Sequence, residues 1–169
     1  MPRPVSSTLE YAMTDYILKL EPGNHFISPY GFVSYSKDFY EAAINHSSSR
    51  NFSPASFYLF GRSLELSFKA FLLLRGVTRK QLPKRSLGHD LEKILKKCQV
   101  YGLHNFLSLN LEEEMQIRRL NEWYCRKGFE YFEIENLIQN HKNLPTALQL
   151  SGLTFKLITA FEQVCKEAA

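Results

Sequence analysis

The stretch SPASFYLFGRSLELSFKAFLLLRG, residues 53–76, decides how this chain folds. Ser53 is a natural N-cap, Pro54 suits the first helical position, and Gly76 is a natural C-terminal stop. Between them Phe57, Phe60, Leu64, Phe68, Phe71 and Leu72 recur at helical spacing, while Leu59, Leu66, Ala70 and Leu73 cover much of the remaining surface. A helix that is apolar nearly all round belongs at the centre of a bundle. Its polar residues Arg62, Glu65 and Lys69 therefore need a reason. Glu65 and Lys69 stand at i,i+4 in the order that favours an ion pair, and Arg62 lies three residues ahead on the same face.

Working outward, helix signals recur along the chain. Ser7-Thr8-Leu9-Glu10 reads as a capping box that opens a helix over 7–21, stopped before Pro22-Gly23. His25 to Val33 carries Pro29 and Gly31 and reads as a loop. Ser34 to His46 places Phe39, Tyr40, Ala43 and Ile44 at helical spacing. Asp90 to Val100 reads as a short helix ended by Gly102. A longer one is capped by Asn110 to Glu113 and carries Met115, Ile117, Leu120, Trp123 and Tyr124. Tyr131 to Ile138 reads as a further short helix, and a last one starts near Thr146 with Leu150, Leu153, Leu157, Phe161 and Val164. No segment alternates with period two, so strands are not expected. The reading is a single all-α domain over residues 1–169. It is an up-and-down helical bundle with a four-helix core, an N-terminal helix and short extra helices.

The 169 residues are 44% hydrophobic and 22% charged with a net charge of +4. Those proportions match a folded globular protein and exclude a disordered chain, a collagen-like repeat and a disulfide scaffold. No apolar run approaches the ~20 residues of a membrane span. Residues 1–7 lack the apolar core of a secretory signal. A cytoplasmic protein with no membrane association is expected. Cys98, Cys125 and Cys165 have no C-x-x-C spacing, so reduced, mostly buried thiols are expected. His25, His46, His89, His104 and His141 are scattered, and neither a metal nor a cofactor is expected. Phosphate-binding loops and nucleophile elbows are absent from the sequence.

The charge is unevenly placed. Residues 75–97 hold eight basic residues against Asp90 and Glu92, a net of +6, which leaves −2 for everything else. Such a run is either a solvated face or a footprint for nucleic acid, whose phosphates release counterions to Lys and Arg. Most aromatics sit at core spacing, with Tyr30, Tyr35, Tyr101 and Tyr131 the candidates for exposed stacking. Asp90 stands where an N-cap belongs, and His89 beside it is placed to reach the polar face of the central helix. Glu65, Lys69, His89 and Asp90 thus either pin two helices together, or form a polar pocket for a nucleotide or phosphate with Arg62, Lys69, Arg85 and His89 as donors, or carry catalysis.

The residues Phe57-x2-Phe60, Leu64-Glu65-Leu66-Ser67-Phe68-Lys69-Ala70-Phe71-Leu72-Leu73 and Gly88-His89-Asp90-Leu91-x2-Ile94-Leu95 resemble the HEPN family (higher eukaryotes and prokaryotes nucleotide-binding). In that family a buried helix carries a Glu and a Lys, and a His-Asp-Leu opens the next helix. Phe39-Tyr40-Glu41-Ala42-Ala43 and Leu120-Asn121-Glu122-Trp123-Tyr124 also fit, so the likeness spans about 34–165. It implies an all-α bundle, frequent homodimerisation, and bacterial or archaeal roles beside nucleotidyltransferases or in toxin–antitoxin systems, with RNA or nucleotides as ligands. The candidate binding residues are Arg62, Glu65, Lys69, Lys84, Arg85, His89 and Asp90, of which Glu65, Lys69, His89 and Asp90 fall in the motifs that carry the resemblance. Ribonucleases of the family carry an Arg followed, after four to six residues, by a His. No His here has an Arg at that spacing, since Arg85 precedes His89 by three intervening residues. The expectation is a non-catalytic binding domain for RNA, a nucleotide, or a nucleotidyltransferase or antitoxin partner. The alternative is an atypical metal-independent ribonuclease that uses Arg85 and His89.

Overall fold

Ser53 and Pro54 do what their order implies. The Ser53 side chain accepts a hydrogen bond from the Ser56 amide at 3.4 Å, and a 21-residue helix, Pro54–Leu74, follows. A computed structural model of the chain describes residues 28–46, 52–82, 87–131 and 143–168. In chain order its helices are α1 (Pro29–Asn45), α2 (Pro54–Leu74), α3 (Leu91–Val100), α4 (Leu111–Tyr124) and α5 (Ala147–Glu167). Two short 3-10 turns, Arg79–Gln81 and Leu103–Asn105, join them, and no strand occurs among the described residues. The expected helix over 7–21 lies outside the described residues, as does nearly all of the one expected from Tyr131 to Ile138.

α2 is the hub, packed against α1, α3, α4 and α5. Its Leu64, Phe68, Ala70, Phe71 and Leu72 have no solvent exposure. Around them close Leu91, Ile94 and Cys98 of α3, Ile117 and Leu120 of α4, and Leu150, Leu157 and Phe161 of α5. Burial of this apolar surface is what holds the bundle together. A second aromatic cluster seals one end, where Phe129 stacks between Phe57 and Trp123 at centroid distances of 5.6 and 5.8 Å.

One boundary needs correction. The segment from His25 to Val33 was expected to be a loop, yet α1 begins at Pro29 and includes Gly31 and Val33. The reason is a repeat of the Ser-Pro opening of α2. Ser28 is extended and accepts from the Gly31 amide at 3.0 Å, and Pro29 takes the first helical position, where a missing N–H costs nothing. Gly31 is buried within the helix and makes no turn there.

α1 and α2 are joined by hydroxyls as well as by apolar contact. Ser36 Oγ donates to the Ser63 carbonyl at 2.8 Å, and Ser63 Oγ donates to the Ser36 carbonyl at 2.6 Å. Ser67 Oγ lies 2.7 Å from Ser36 Oγ. All three serines are fully buried, and their reciprocal bonds satisfy groups that would otherwise be costly to bury. Small side chains here let the two helix backbones approach closely.

Gly61 of α2 lies against the Tyr124 ring of α4. A Cβ built there would lie 2.5 Å from Cδ2 of Tyr124. The ring is held by its hydroxyl and by its neighbours, so it has little freedom to yield. Gly61→Ala is expected to destabilise the protein by about 1–3 kcal/mol, as overpacking does. Urea denaturation checks this, with the two proteins sharing their helical circular dichroism.

Candidate functional site

Glu65 is fully buried in the middle of α2, and both of its oxygens are occupied. Oε1 accepts from Arg62 Nη1 at 2.9 Å and from Lys69 Nζ at 2.5 Å. Oε2 accepts from the Tyr124 hydroxyl at 2.6 Å and from His89 Nδ1 at 3.0 Å. Four donors from three parts of the chain thus converge on one carboxylate. Burial alone would push the Glu65 carboxyl up, but Lys69 and Arg62 beside it outweigh that and hold it below the usual carboxylate range. The Tyr124 hydroxyl moves the other way, raised by burial and by the Glu65 charge, so it stays protonated and donates. Burial lowers and the Glu65 charge raises the Arg62 guanidinium, the latter prevailing.

The turn before α3 is built onto this cluster. Gly88 has φ +47°, a left-handed conformation that glycine adopts without strain, and its carbonyl accepts from Lys69 Nζ at 3.0 Å. His89 follows and turns its Nδ1 toward Glu65. Asp90 then caps α3, accepting from the Lys93 amide at 3.1 Å and from Asn121 Nδ2 at 3.0 Å. Asn121 in turn accepts from the Leu91 amide at 2.8 Å. Burial raises the Asp90 carboxyl, but hydrogen bonds from Lys93 and Asn121 outweigh it and leave the group low.

Of the residues expected to form the site, Arg62, Glu65, Lys69 and His89 meet directly, and Asp90 stands beside them. Asp90 spends both oxygens on α3 and α4, since Oδ2 pairs with Lys93 Nζ at 3.1 Å. It caps α3. Lys84 and Arg85 lie outside the described residues. Sequence reading left Tyr124, Asn121 and Gly61 out of the site. Their signal was available: Asn121 and Tyr124, three residues apart, put polar groups on the buried face of α4 within Leu120–Tyr124.

The basic stretch is partly neutralised at short range. Lys93 and Lys96 pair with Asp90 and Glu92, each at 3.1 Å, and Lys97 lies over the Tyr101 ring. Arg75 donates to the Tyr101 carbonyl at 3.1 Å and lies over Phe106. Among the stacking candidates, Tyr35, Tyr101 and Tyr131 are exposed. Tyr30, in contrast, is half-buried against the core, because the helix that contains it starts earlier than expected. Cys98 and Cys165 are buried free thiols and Cys125 is an exposed one. No group of three metal-ligating side chains occurs among the described residues. No helix among them is long and apolar enough to cross a membrane.

Chemically, the cluster sets two permanent cations against one carboxylate and turns a half-exposed imidazole outward. The two cations exceed the one carboxylate they share by one charge. Comparison of the chain with protein-family models, with curated proteins and with solved structures finds no match.

Glu65→Ala removes the acceptor of four donors and strands two cations. It is expected to cost about 3–5 kcal/mol, read from urea denaturation at pH 7. Because Glu65 is lower in the folded state than in the unfolded chain, its contribution is complete above about pH 4.3, the ordinary glutamate value, and is lost as pH falls through the lower folded value. Stability measured against pH is expected to drop through this acid range, and the Glu65→Gln profile to be flatter there.

Proposed function

We propose that this chain is a non-catalytic, HEPN-like binding domain whose ligand is RNA, met at the edge of the Glu65 cluster. The observation that carries this reading is the charge imbalance around Glu65. Arg62 and Lys69 share one oxygen of a single carboxylate, so one positive charge is left without a protein counterion inside the cluster. Partly buried excess charge is unfavourable unless an anion or water meets it, and the Arg62 side chain is 30% exposed. A backbone phosphate fits that need, since guanidinium groups bind its oxygens with charge-assisted hydrogen bonds.

The resemblance supports the same reading, because its two most specific segments, 57–73 and 88–95, are the ones that supply Glu65, Lys69 and His89. The binding role is preferred to catalysis because the Arg–His spacing of the family's ribonucleases is missing from the sequence. A homodimer, with a nucleotidyltransferase or antitoxin as a further partner, belongs to this proposal as what the resemblance implies.

Fluorescence anisotropy with a labelled single-stranded RNA tests it. The RNA is expected to bind and remain intact, with affinity falling steeply between about 50 and 200 mM salt. Arg62→Ala is expected to weaken binding about ten-fold, equivalent to ~1.4 kcal/mol. An absence of binding at low salt overturns the reading. Cleavage that disappears in His89→Ala replaces it with the ribonuclease that uses Arg85 and His89.

A further inference from the structure

The His89 ring is held through Nδ1, and half of its side chain is exposed among the described residues. A carboxylate only accepts, so the 3.0 Å contact between Nδ1 and Glu65 Oε2 places the proton on Nδ1. In the neutral ring Nε2 then carries a lone pair and no proton, which makes it a hydrogen-bond acceptor. The His89 side chain is 50% exposed, and no described residue is bonded to Nε2.

The orientation of that acceptor is set by the structure around it. Lys69 fixes the Gly88 carbonyl on one side of His89, and Asn121 and the Lys93 amide fix Asp90 on the other. The Tyr124 ring stands edge-on to the imidazole, 6.4 Å away at 86°. Arg62 is bound to the other oxygen of the same carboxylate. The edge of the cluster therefore offers a fixed cation and a fixed acceptor close enough for one nucleotide to touch both.

A ligand that satisfies both groups carries an anion beside a hydroxyl donor. A deoxyribonucleotide phosphate meets the cation alone. A ribonucleotide adds a 2′-hydroxyl next to its 3′-phosphate, and that hydroxyl is what distinguishes RNA from DNA at a single site. Resting on the RNA reading above, we infer that His89 is a specificity-determining residue: Nε2 accepts from the ribose 2′-hydroxyl while Arg62 holds the adjacent phosphate.

Because the His89 side chain is half-exposed and water competes there, the preference is modest, about three- to ten-fold, as for one neutral hydrogen bond. The test compares oligo(U) with oligo(dU) of equal length on the full chain at low salt, so that the base is constant and only the hydroxyl changes. Oligo(U) is expected to bind about three to ten times more tightly. His89→Asn keeps an N–H donor toward Glu65 and places no atom at the reach of Nε2, its own Oδ1 ending closer to the backbone. It is expected to bring the two affinities together by weakening oligo(U) alone, with an unchanged urea midpoint.

Equal affinities in the wild type, or a preference that survives in His89→Asn, overturn the inference while leaving RNA binding in place. Should neither oligonucleotide bind, the RNA reading itself falls and takes this inference with it. A measurement on the wild type alone covers a variant that fails to fold. The His89 Nε2 resonance in a long-range proton–nitrogen spectrum is expected to shift with oligo(U) and not with oligo(dU), and the same shift with both overturns the assignment.

Discussion

A carboxylate with no solvent exposure in the middle of the buried helix α2 is the constraint on which the rest of this structure depends. Removing Glu65 from water carries a penalty of several kcal/mol that nearby charges and hydrogen bonds must offset. The protein supplies them from α2 itself, from the turn before α3 and from the end of α4. Arg62 and Lys69 come automatically from helical spacing. Tyr124 and His89 reach Glu65 only if α4 and the 87–90 turn are in place, so the polar cluster checks the tertiary arrangement in a way the apolar core cannot. Apolar side chains tolerate alternative packings, whereas a buried carboxylate with a missing donor does not.

The same demand explains several local choices. Gly61 is small because the Tyr124 ring must lie against α2 to bring its hydroxyl to Oε2. Gly88 adopts a positive φ where its carbonyl meets Lys69. Asn121 bridges the Asp90 cap and the first amide of α3, which anchors the element that carries His89. The α1–α2 serine contacts follow a parallel rule on a neutral scale, with buried hydroxyls paired to each other and to carbonyls. Function, on the proposed reading, uses the surplus: Glu65 balances one of its two cations, and the His89 side chain is half-exposed.

How much of this was legible in the sequence differs by residue. The limits of α2, α3, α4 and α5 could be read from Ser53-Pro54, Asp90, Asn110 and Thr146, because caps are local and act through their own helix. The start of α1 was misread because Pro29 and Gly31 were treated as loop signals, while Ser28-Pro29 was the same helix opening seen at Ser53-Pro54. Arg62, Glu65 and Lys69 were legible as a group from their spacing. Tyr124 and Asn121 lay too far along the chain to be joined to Glu65 and Asp90 by any periodicity.

By itself, then, the sequence determined the helix class, most helix limits, the central place of residues 54–74 and the Arg62, Glu65, Lys69 face, since each depends on interactions within about one helical turn. Tertiary structure alone decided that Tyr124, 59 residues away, donates to Glu65, and that His89 turns Nδ1 to the same oxygen. It also decided that Asn121 of α4 donates to the Asp90 cap across 31 residues of chain. The physical reason is distance along the chain. Spacing reports which groups share a helix face, but only packing sets which groups from different helices compete for one carboxylate.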